Sequence, residues 1–454
     1  VILAADLGTS SLKAGLLSKD GNLLADVTVP YRTVPRIGKD FSFYAQEWEY
    51  AFGRALKSLP ARPLSALALS GNGPTLLACD DRGEPLGEVD LWFSRKSIRK
   101  GNQKSFYLPK AKWLMENDKG RWEKIRTLFS CPEWLQFRLT GSKTMTLPNN
   151  SFRPYIWDDE QLEFYGLNRG LFPEMVRMGD IAGRIDSAAG ARYGLAAGLP
   201  VVAVGSDFMA SLLGSGTVEP GRVCDRAGTS EGINYCALRP SGDGHLRDLP
   251  HAVEPYWNVA AILSSTGSVL EWYRDLTGRE GVDYGDILGE ISRAPAAQSA
   301  PLFFPGARDD NLLEFGSGSF HRLEPGHGRV EMGRAVLEAI GFAVRRGIEL
   351  LEGAGMRVDE MRVTGGQARG KIWNQMKADI CGKRLLTMQI ENAELAGCAC
   401  CAAVALGRAA TLGEATDTYV RLQSVFEPSG ERVALYNEAY EEYRKSAEAL
   451  LGPG

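Results

Sequence analysis

Apolar and polar positions along the chain fall into short strand-length runs that alternate with longer helix-length ones. Residues 2–6 and 12–17 are apolar runs on either side of "LGTSS", and they predict two short strands. "DGNLLADVTVP" extends the pattern as a third strand after an Asp-Gly turn. "EWEYAFGRALKSL" has helical spacing, and "LSALALSGNG" is a strand run ending in glycines. Further on, "GLPVVAVGSDFMASLLGSG" predicts a buried strand, a turn at Gly205–Asp207 and a helix. "VEPGRVCDRAGTSEGINYC" reads as turn, strand, glycine turn, strand. "AVLEAIGFAVRRGIELLEGAG" is a long amphipathic helix. "EMRVTGGQARGKIWNQMKADICG" is strand, glycine loop and helix, with Gly382 at the C-cap. Strands alternate with helices throughout, so the expected class is α/β.

One pattern recurs. "DLGTSSLKAGLL" and "DRAGTSEGINYC" both set Gly-Thr-Ser between two strand-like runs, and Gly8 and Gly228 stand 220 residues apart in a chain of 454. A chain of that length exceeds one ordinary core, and the echo suggests a duplicated domain with one hairpin per half. The expected domains are 1–218 and 219–454.

A glycine at a hairpin tip allows close backbone approach. The exposed N–H groups and neighbouring hydroxyls can cradle an anion such as phosphate. An ordinary tight turn is the alternative for either loop alone; the pairing of the two favours phosphate. Asp6 ends the first strand, two residues before Gly8, where a carboxylate could hold Mg²⁺ through water. Lys13, on the returning strand, reads equally as a phosphate contact or a solvated strand lysine.

Asp207 raises a sharper question. It is a single acid among small and apolar residues, and burying a carboxylate is costly unless it is paired or needed for chemistry. It reads as a helix N-cap or as a catalytic base.

Composition narrows the classes. The net charge is −4, which gives no reason to expect nucleic acid or an anionic membrane as partner, and no apolar run reaches membrane-spanning length. The segment "VILAADLG" has no basic leader, so it does not read as a signal peptide. Eight cysteines, three of them crowded in "CACC", do not form a secreted disulfide framework, so a cytoplasmic location is expected. The "CACC" setting is a small-residue helix, so buried packing is favoured over a metal site. Residues 94–129 carry eleven Lys or Arg against three acids, and read as a solvated helical surface rather than an anion-binding patch.

Two motifs suggest other enzymes. "GTSEG" fits the nucleophile elbow of a serine hydrolase at Ser230, but that elbow must lead into a helix, and "INYCAL" is strand-like. "GGQARGKI" is one residue short of a Walker A loop, with Ile372 where a Ser or Thr would ligate Mg²⁺; it reads instead as a nucleotide-contacting glycine turn at a helix N-terminus.

Taken in order, "DLGTSSLKAGLL", "GSDFMASLLGSGTVEPG", "AGTSEG", "STGSVLEWYRD" and "TGGQARGKIWNQMKADICG" resemble the FGGY carbohydrate kinases, which include glycerol kinase and xylulose kinase. The resemblance covers nearly the whole chain. It implies two RNase H-like domains of the actin, Hsp70 and hexokinase type, with the active site in the cleft between them. It places Asp207 at the catalytic base and Asp6 at the Mg²⁺-associated acid. Gly8, Thr9, Ser10 and Lys13 match the first phosphate loop, and Gly228 and Thr229 the second. Gly267 matches a glycine near the nucleotide, and Gly365, Gly366 and Gln367 the adenosine loop. ATP and Mg²⁺ are the implied cofactors.

The acceptor side departs from the family's commonest patterns. Gly73 and Pro74 stand where glycerol kinase has an Arg-Glu pair and xylulose kinases a Met-His pair, and Phe208 replaces the usual amide after the catalytic Asp. Trp92 and Arg95 keep a Trp-x-x-Arg pattern like that of glycerol kinase, and Asn72 is a further polar candidate. Asn149 and Asn150 could offer polar contacts, although ordinary loop turn residues are the favoured reading there. The expected acceptor-binding residues are Asn72, Trp92, Arg95, Asp207 and Phe208. The expected activity is ATP-dependent phosphorylation of a sugar hydroxyl, with a ketopentose such as xylulose leading and polyols and sugar acids behind. A nucleotide-driven binding module of the same fold is the alternative. The expected partner is a small-molecule sugar or polyol, with a homodimer left open.

Overall fold

The structure is a computed structural model that describes residues 1–33, 42–228, 230–296, 301–306, 313 and 315–451. The chain divides into two compact units. The first comprises 1–216, 250–255 and 392–421; the second comprises 217–249, 256–391 and 422–454. A single boundary at 218/219 therefore misplaces 250–255 and 392–421, both of which pack into the first unit.

The first unit is built on a six-stranded sheet. Its strands are β1 (Ile2–Leu7), β2 (Ser11–Leu17), β3 (Leu23–Pro30), β4 (Ala66–Gly71), β5 (Ile181–Arg184) and β6 (Pro200–Ser206), in the order β3-β2-β1-β4-β6-β5. β1, β4 and β6 are parallel, while β2, β3 and β5 run antiparallel to their neighbours. All six residues of β1 are buried, as a central strand covered on both faces requires; β3 alternates half-buried and exposed. The helix Gln46–Ser58 turns Trp48, Ala51, Phe52 and Ala55 to the core, at helical spacing. The register sets Asp6 opposite Lys13 on β2 and opposite Ser70 on β4.

The helix Ala393–Ala405 explains why 392–421 joins this unit. It packs on the helix Asp207–Gly214 so closely that a Cβ on Gly397 would stand 2.0 Å from the carbonyl oxygen of Ala210. Cys398, Cys400 and Cys401 are fully buried on it. All eight cysteines are buried, and no disulfide joins any of them. The run of small residues is thus an interhelical packing surface, as the sequence reading favoured.

The second unit holds a seven-stranded sheet: β7 (Val223–Ala227), β8 (Glu231–Ala237), β9 (Arg247–Pro250), β10 (Trp257–Leu263), β11 (Glu360–Thr364), β12 (Arg384–Met388) and β13 (Leu422–Phe426), in the order β9-β10-β8-β7-β11-β12-β13. β7, β11 and β12 are parallel; β8, β10 and β13 are antiparallel to their partners. The long helix Arg329–Gly353 contributes Val336, Ile340, Val344 and Leu351 to the core. Gly382 caps the helix Lys371–Cys381 in the left-handed conformation, as its sequence position suggests.

Each sheet therefore has an antiparallel hairpin whose first strand starts a parallel set. The Gly8 and Gly228 turns close those two equivalent hairpins, so the sequence echo is a structural repeat of the RNase H-like kind. Among the described residues no helix is long and apolar enough to cross a membrane.

The basic stretch 94–129 departs from its expected form. It is helical only over Leu108–Asn117 and Lys119–Trp122. Lys110 is buried, donating to the Leu91 carbonyl at 2.6 Å and lying 3.5 Å from Asp90, and the partly buried Arg121 donates to the Glu88 carbonyl at 2.7 Å. These two cations fold inward, where carbonyls and carboxylates replace the water they lose.

Candidate active site

In the first unit, the turn after β1 sits above a buried charged cluster. Asp6 is buried, and Ser70 Oγ donates to its Oδ1 at 2.8 Å. Lys13 Nζ lies 3.9 Å from Asp6 Oδ2 and donates to Glu394 Oε2 at 3.2 Å. Ser211, on the helix Asp207–Gly214, donates to Glu394 Oε1 at 3.1 Å. Burial first, and then the Glu394 carboxylate, push the Asp6 pKa up to about 7; Lys13 and the Ser70 hydroxyl pull the other way, and Asp207 adds to the rise. Lys13 is therefore partly exposed but held between two carboxylates.

The hairpin turn itself is braced from below. Asn72 donates to the carbonyls of Leu7 at 2.9 Å and Gly8 at 3.1 Å, and Tyr31 Oη donates to the Gly8 carbonyl at 3.1 Å. Trp92 Nε1 donates to Thr9 Oγ1 at 3.0 Å. Ser10 at the tip is exposed.

Asp207 is placed by a bulge. The pairing of β6 with β4 shifts register between Ala203 and Gly205, and Gly205 has φ +80°, which a side chain would strain. The chain then enters the helix Asp207–Gly214. Ser206 is the N-cap, its Oγ accepting from Met209 N at 3.4 Å. The capping role considered for Asp207 thus belongs to Ser206. Asp207 is the first helical residue, half-buried, where the helix dipole favours a carboxylate.

The residues expected around an acceptor differ in their exposure. Trp92, Asp207 and Phe208 are half-buried, and Arg95 is exposed. Asn72 is 1% exposed with its amide spent on the loop, so it supports the turn instead of facing a ligand. Asn149 caps the short helix Asn150–Phe152, accepting from Phe152 N at 2.9 Å, and its amide donates to the His251 carbonyl. It is a turn residue.

In the second unit, Gly228 N donates to the Ser230 carbonyl at 2.9 Å across the turn; Thr229 lies outside the described residues. Ser230 is followed by β8, not a helix, so the nucleophile-elbow context is missing. Gly267 is the second residue of the helix Thr266–Leu276, among backbone N–H groups that have no intrahelical acceptor. Gly365 has φ +84°, and a Cβ there would meet the Ala227 carbonyl at 2.4 Å. This packs the Gly365–Gly370 loop against the end of β7. Gln367 was expected to touch the nucleotide, yet its side chain is committed within the protein. Its Oε1 accepts from Trp373 Nε1 at 2.8 Å, and its Nε2 donates to the Gly228 carbonyl at 3.3 Å and to Thr266 Oγ1 at 3.4 Å.

Sequence reasoning missed Ser70, Tyr31, Glu394 and Ser211. Only Glu394 left a sign, as the one acid inside "AELAGCACCAAVALG".

Models of the FGGY family of carbohydrate kinases match residues 95–214 with its N-terminal domain and 226–406 with its C-terminal domain. The chain belongs to the FGGY family. The kinase is 24% identical over 482 residues to the xylulose kinase of Lactococcus lactis subsp. lactis IL1403, covering 98% of this chain and 96% of that protein. It is 27% identical over 417 residues to the xylulose kinase of Escherichia coli K12, covering 84% and 85%. Among solved structures, a xyloylose kinase from Brucella ovis superposes with a TM-score of 0.83 at 23% identity, over 99% of both chains. A gluconate kinase from Lactobacillus acidophilus superposes at 0.82 and 19% identity, over 99% of this chain and 98% of that one. Both neighbours share the fold of this carbohydrate kinase.

Proposed function

We propose that this kinase transfers the terminal phosphoryl group of ATP to a hydroxyl of a ketopentose such as xylulose, or of a closely related sugar or polyol, with Asp207 as general base. The observation that carries the reading is Asp207 itself. It is a half-buried carboxylate in the first turn of a helix, aimed by the Gly205 bulge and near enough to Asp6 to raise its pKa. A base so held can accept the acceptor's proton as its oxygen bonds to phosphorus.

Phosphoryl transfer needs positioning and charge neutralisation more than covalent help. The Gly8–Ser10 turn offers backbone N–H groups and hydroxyls, and Lys13 offers a cation already oriented by Glu394. In the second unit, Gly228, Gly267, Gly365 and Gly366 take the nucleotide side. Asp6, Glu394 and Asp207 outnumber Lys13, and this excess of negative charge suits a divalent cation. No group of three His, Cys, Asp or Glu side chains among the described residues could hold a metal ion. Mg²⁺ takes few protein ligands and keeps waters and phosphate oxygens; Asp6 would hold it, and it would neutralise phosphate charge when bound.

The xylulose kinases among its relatives favour a ketose. Gly73, Pro74 and Phe208 leave the hydroxyl contacts of the acceptor open, and such contacts decide specificity. The test is ADP release with a panel of ketopentoses, polyols and sugar acids. Sugar-dependent release with a ketopentose preference is expected. Hydrolysis at full rate without sugar would instead support a nucleotide-driven binding module.

A further inference from the structure

The second unit contains a buried ion triad beneath its glycine turns. Lys377, on the helix Lys371–Cys381, Asp225 on β7 and Glu231 on β8 are all fully buried. Lys377 Nζ donates to Asp225 Oδ2 and to Glu231 Oε1, each at 2.6 Å. One ammonium faces two carboxylates, one negative charge too many for a dry interior. Burial, followed by Glu231, pushes the Asp225 pKa well up. At Glu231, burial is outweighed by Lys377 and by hydrogen bonding from Asp225, Lys377 and Thr266, so this carboxyl stays below its ordinary range. The opposite directions of these two shifts put the negative charge that answers Lys377 on Glu231 in preference to Asp225.

Apolar residues of similar volume would serve packing as well as a buried ion group does, and commonly better. What distinguishes the triad is what it connects to. Glu231 is the first residue after the Gly228 turn. Thr266, whose hydroxyl helps hold Glu231 ionised, opens the helix that carries Gly267. Thr266 Oγ1 also accepts from Gln367, which reaches the Gly228 carbonyl and accepts from Trp373. The Trp373 ring lies with its centroid 5.3 Å from Lys377 Nζ, which returns the network to its start. One closed circuit thus touches the Gly228 turn, the helix start at Gly267 and the loop at Gly365.

We propose that Lys377, Glu231 and Asp225 are positioning residues for the nucleotide, acting through Thr266 and Gln367 to fix the backbone of these three segments against one another. The proposal rests on reading those segments as the nucleotide side. It predicts that loosening the circuit weakens ATP without touching the acceptor.

The test uses Glu231→Gln and Thr266→Val in the full-length enzyme, with steady-state KM for ATP and for sugar and with thermal melts in the presence and absence of ADP. Both variants are expected to raise the KM for ATP about tenfold, leave the KM for sugar within about twofold and shrink the ADP-induced rise in Tm. Thr266→Ser keeps the hydroxyl and should recover most of the lost affinity, which a merely destabilised fold would not. An unchanged KM for ATP in either folded variant overturns the proposal, because both residues lie on one path. If Glu231→Gln does not fold, the Thr266→Val and Thr266→Ser pair decides alone. Gly228→Val separates this from the underlying reading. If it leaves the KM for ATP unchanged, the second unit is not the nucleotide side; if it raises that KM while Thr266→Val does not, only the positioning role fails.

Discussion

Glu394 accepts a hydrogen bond from Lys13 at 3.2 Å, joining residues 381 positions apart in the chain. The contact orients the cation proposed to meet phosphate and ties the helix Ala393–Ala405 to the first hairpin. Removing the carboxylate takes one acidic partner from Lys13 and one hydrogen-bond acceptor from Ser211. Glu394→Ala should destabilise the protein by about 2 kcal/mol, below the cost of breaking a fully buried pair because Lys13 is partly solvated. Urea denaturation reads this directly. Glu394→Gln keeps the packing and should lose less stability, while kcat/KM for ATP still falls about tenfold.

The raised Asp6 pKa sets a pH dependence. A carboxyl with a higher pKa folded than unfolded takes up a proton on folding, so its stabilising share is complete below the unfolded value and is lost as pH rises. For Asp6 the window runs from its ordinary 3.8 to about 7. Stability should fall with rising pH across that window, and Asp6→Asn should flatten the fall. Mg²⁺ should raise Tm more at pH 8, where Asp6 is ionised, than at pH 6. Denaturation curves for both proteins at several pH values check this; identical slopes would count against it.

Gly365 is the most constrained point of the proposed nucleotide side. With φ +84° and only 2.4 Å to the Ala227 carbonyl, Gly365→Ala must move the loop or the end of β7. A loss of about 1–3 kcal/mol is expected, from backbone strain and overpacking together. In material that still folds, the KM for ATP should rise while that for sugar holds. Thermal melts and steady-state kinetics separate the two effects.

Much of this was legible in the sequence. Both Gly-Thr-Ser hairpins follow from apolar runs that break at glycine, and the structure sets them at equivalent places in two sheets. The α/β class followed from the same alternation, and the RNase H-like character from the family resemblance. Side-chain commitments were less visible. Asn72 was read as an acceptor contact, but strand geometry turns it under the Gly8 turn. Gln367 was read as a nucleotide contact, but its amide is spent on Gly228, Thr266 and Trp373. Lys377 sits in an amphipathic helix where a lysine ordinarily faces water, and its partners lie about 150 residues earlier. Glu394 stood out as a lone acid, yet nothing local named Lys13 or Ser211 as its partners. Periodicity reports which face is buried; it does not report which distant polar groups meet there.

The central claim is that Asp207 takes the proton from the acceptor hydroxyl. The most direct measurement is sugar-dependent ADP formation by Asp207→Asn, alongside nucleotide binding by the same protein. Phosphoryl transfer should fall by about 10²–10⁴-fold while ADP still binds with wild-type affinity. Sugar phosphorylation near the wild-type rate in that variant would contradict the account.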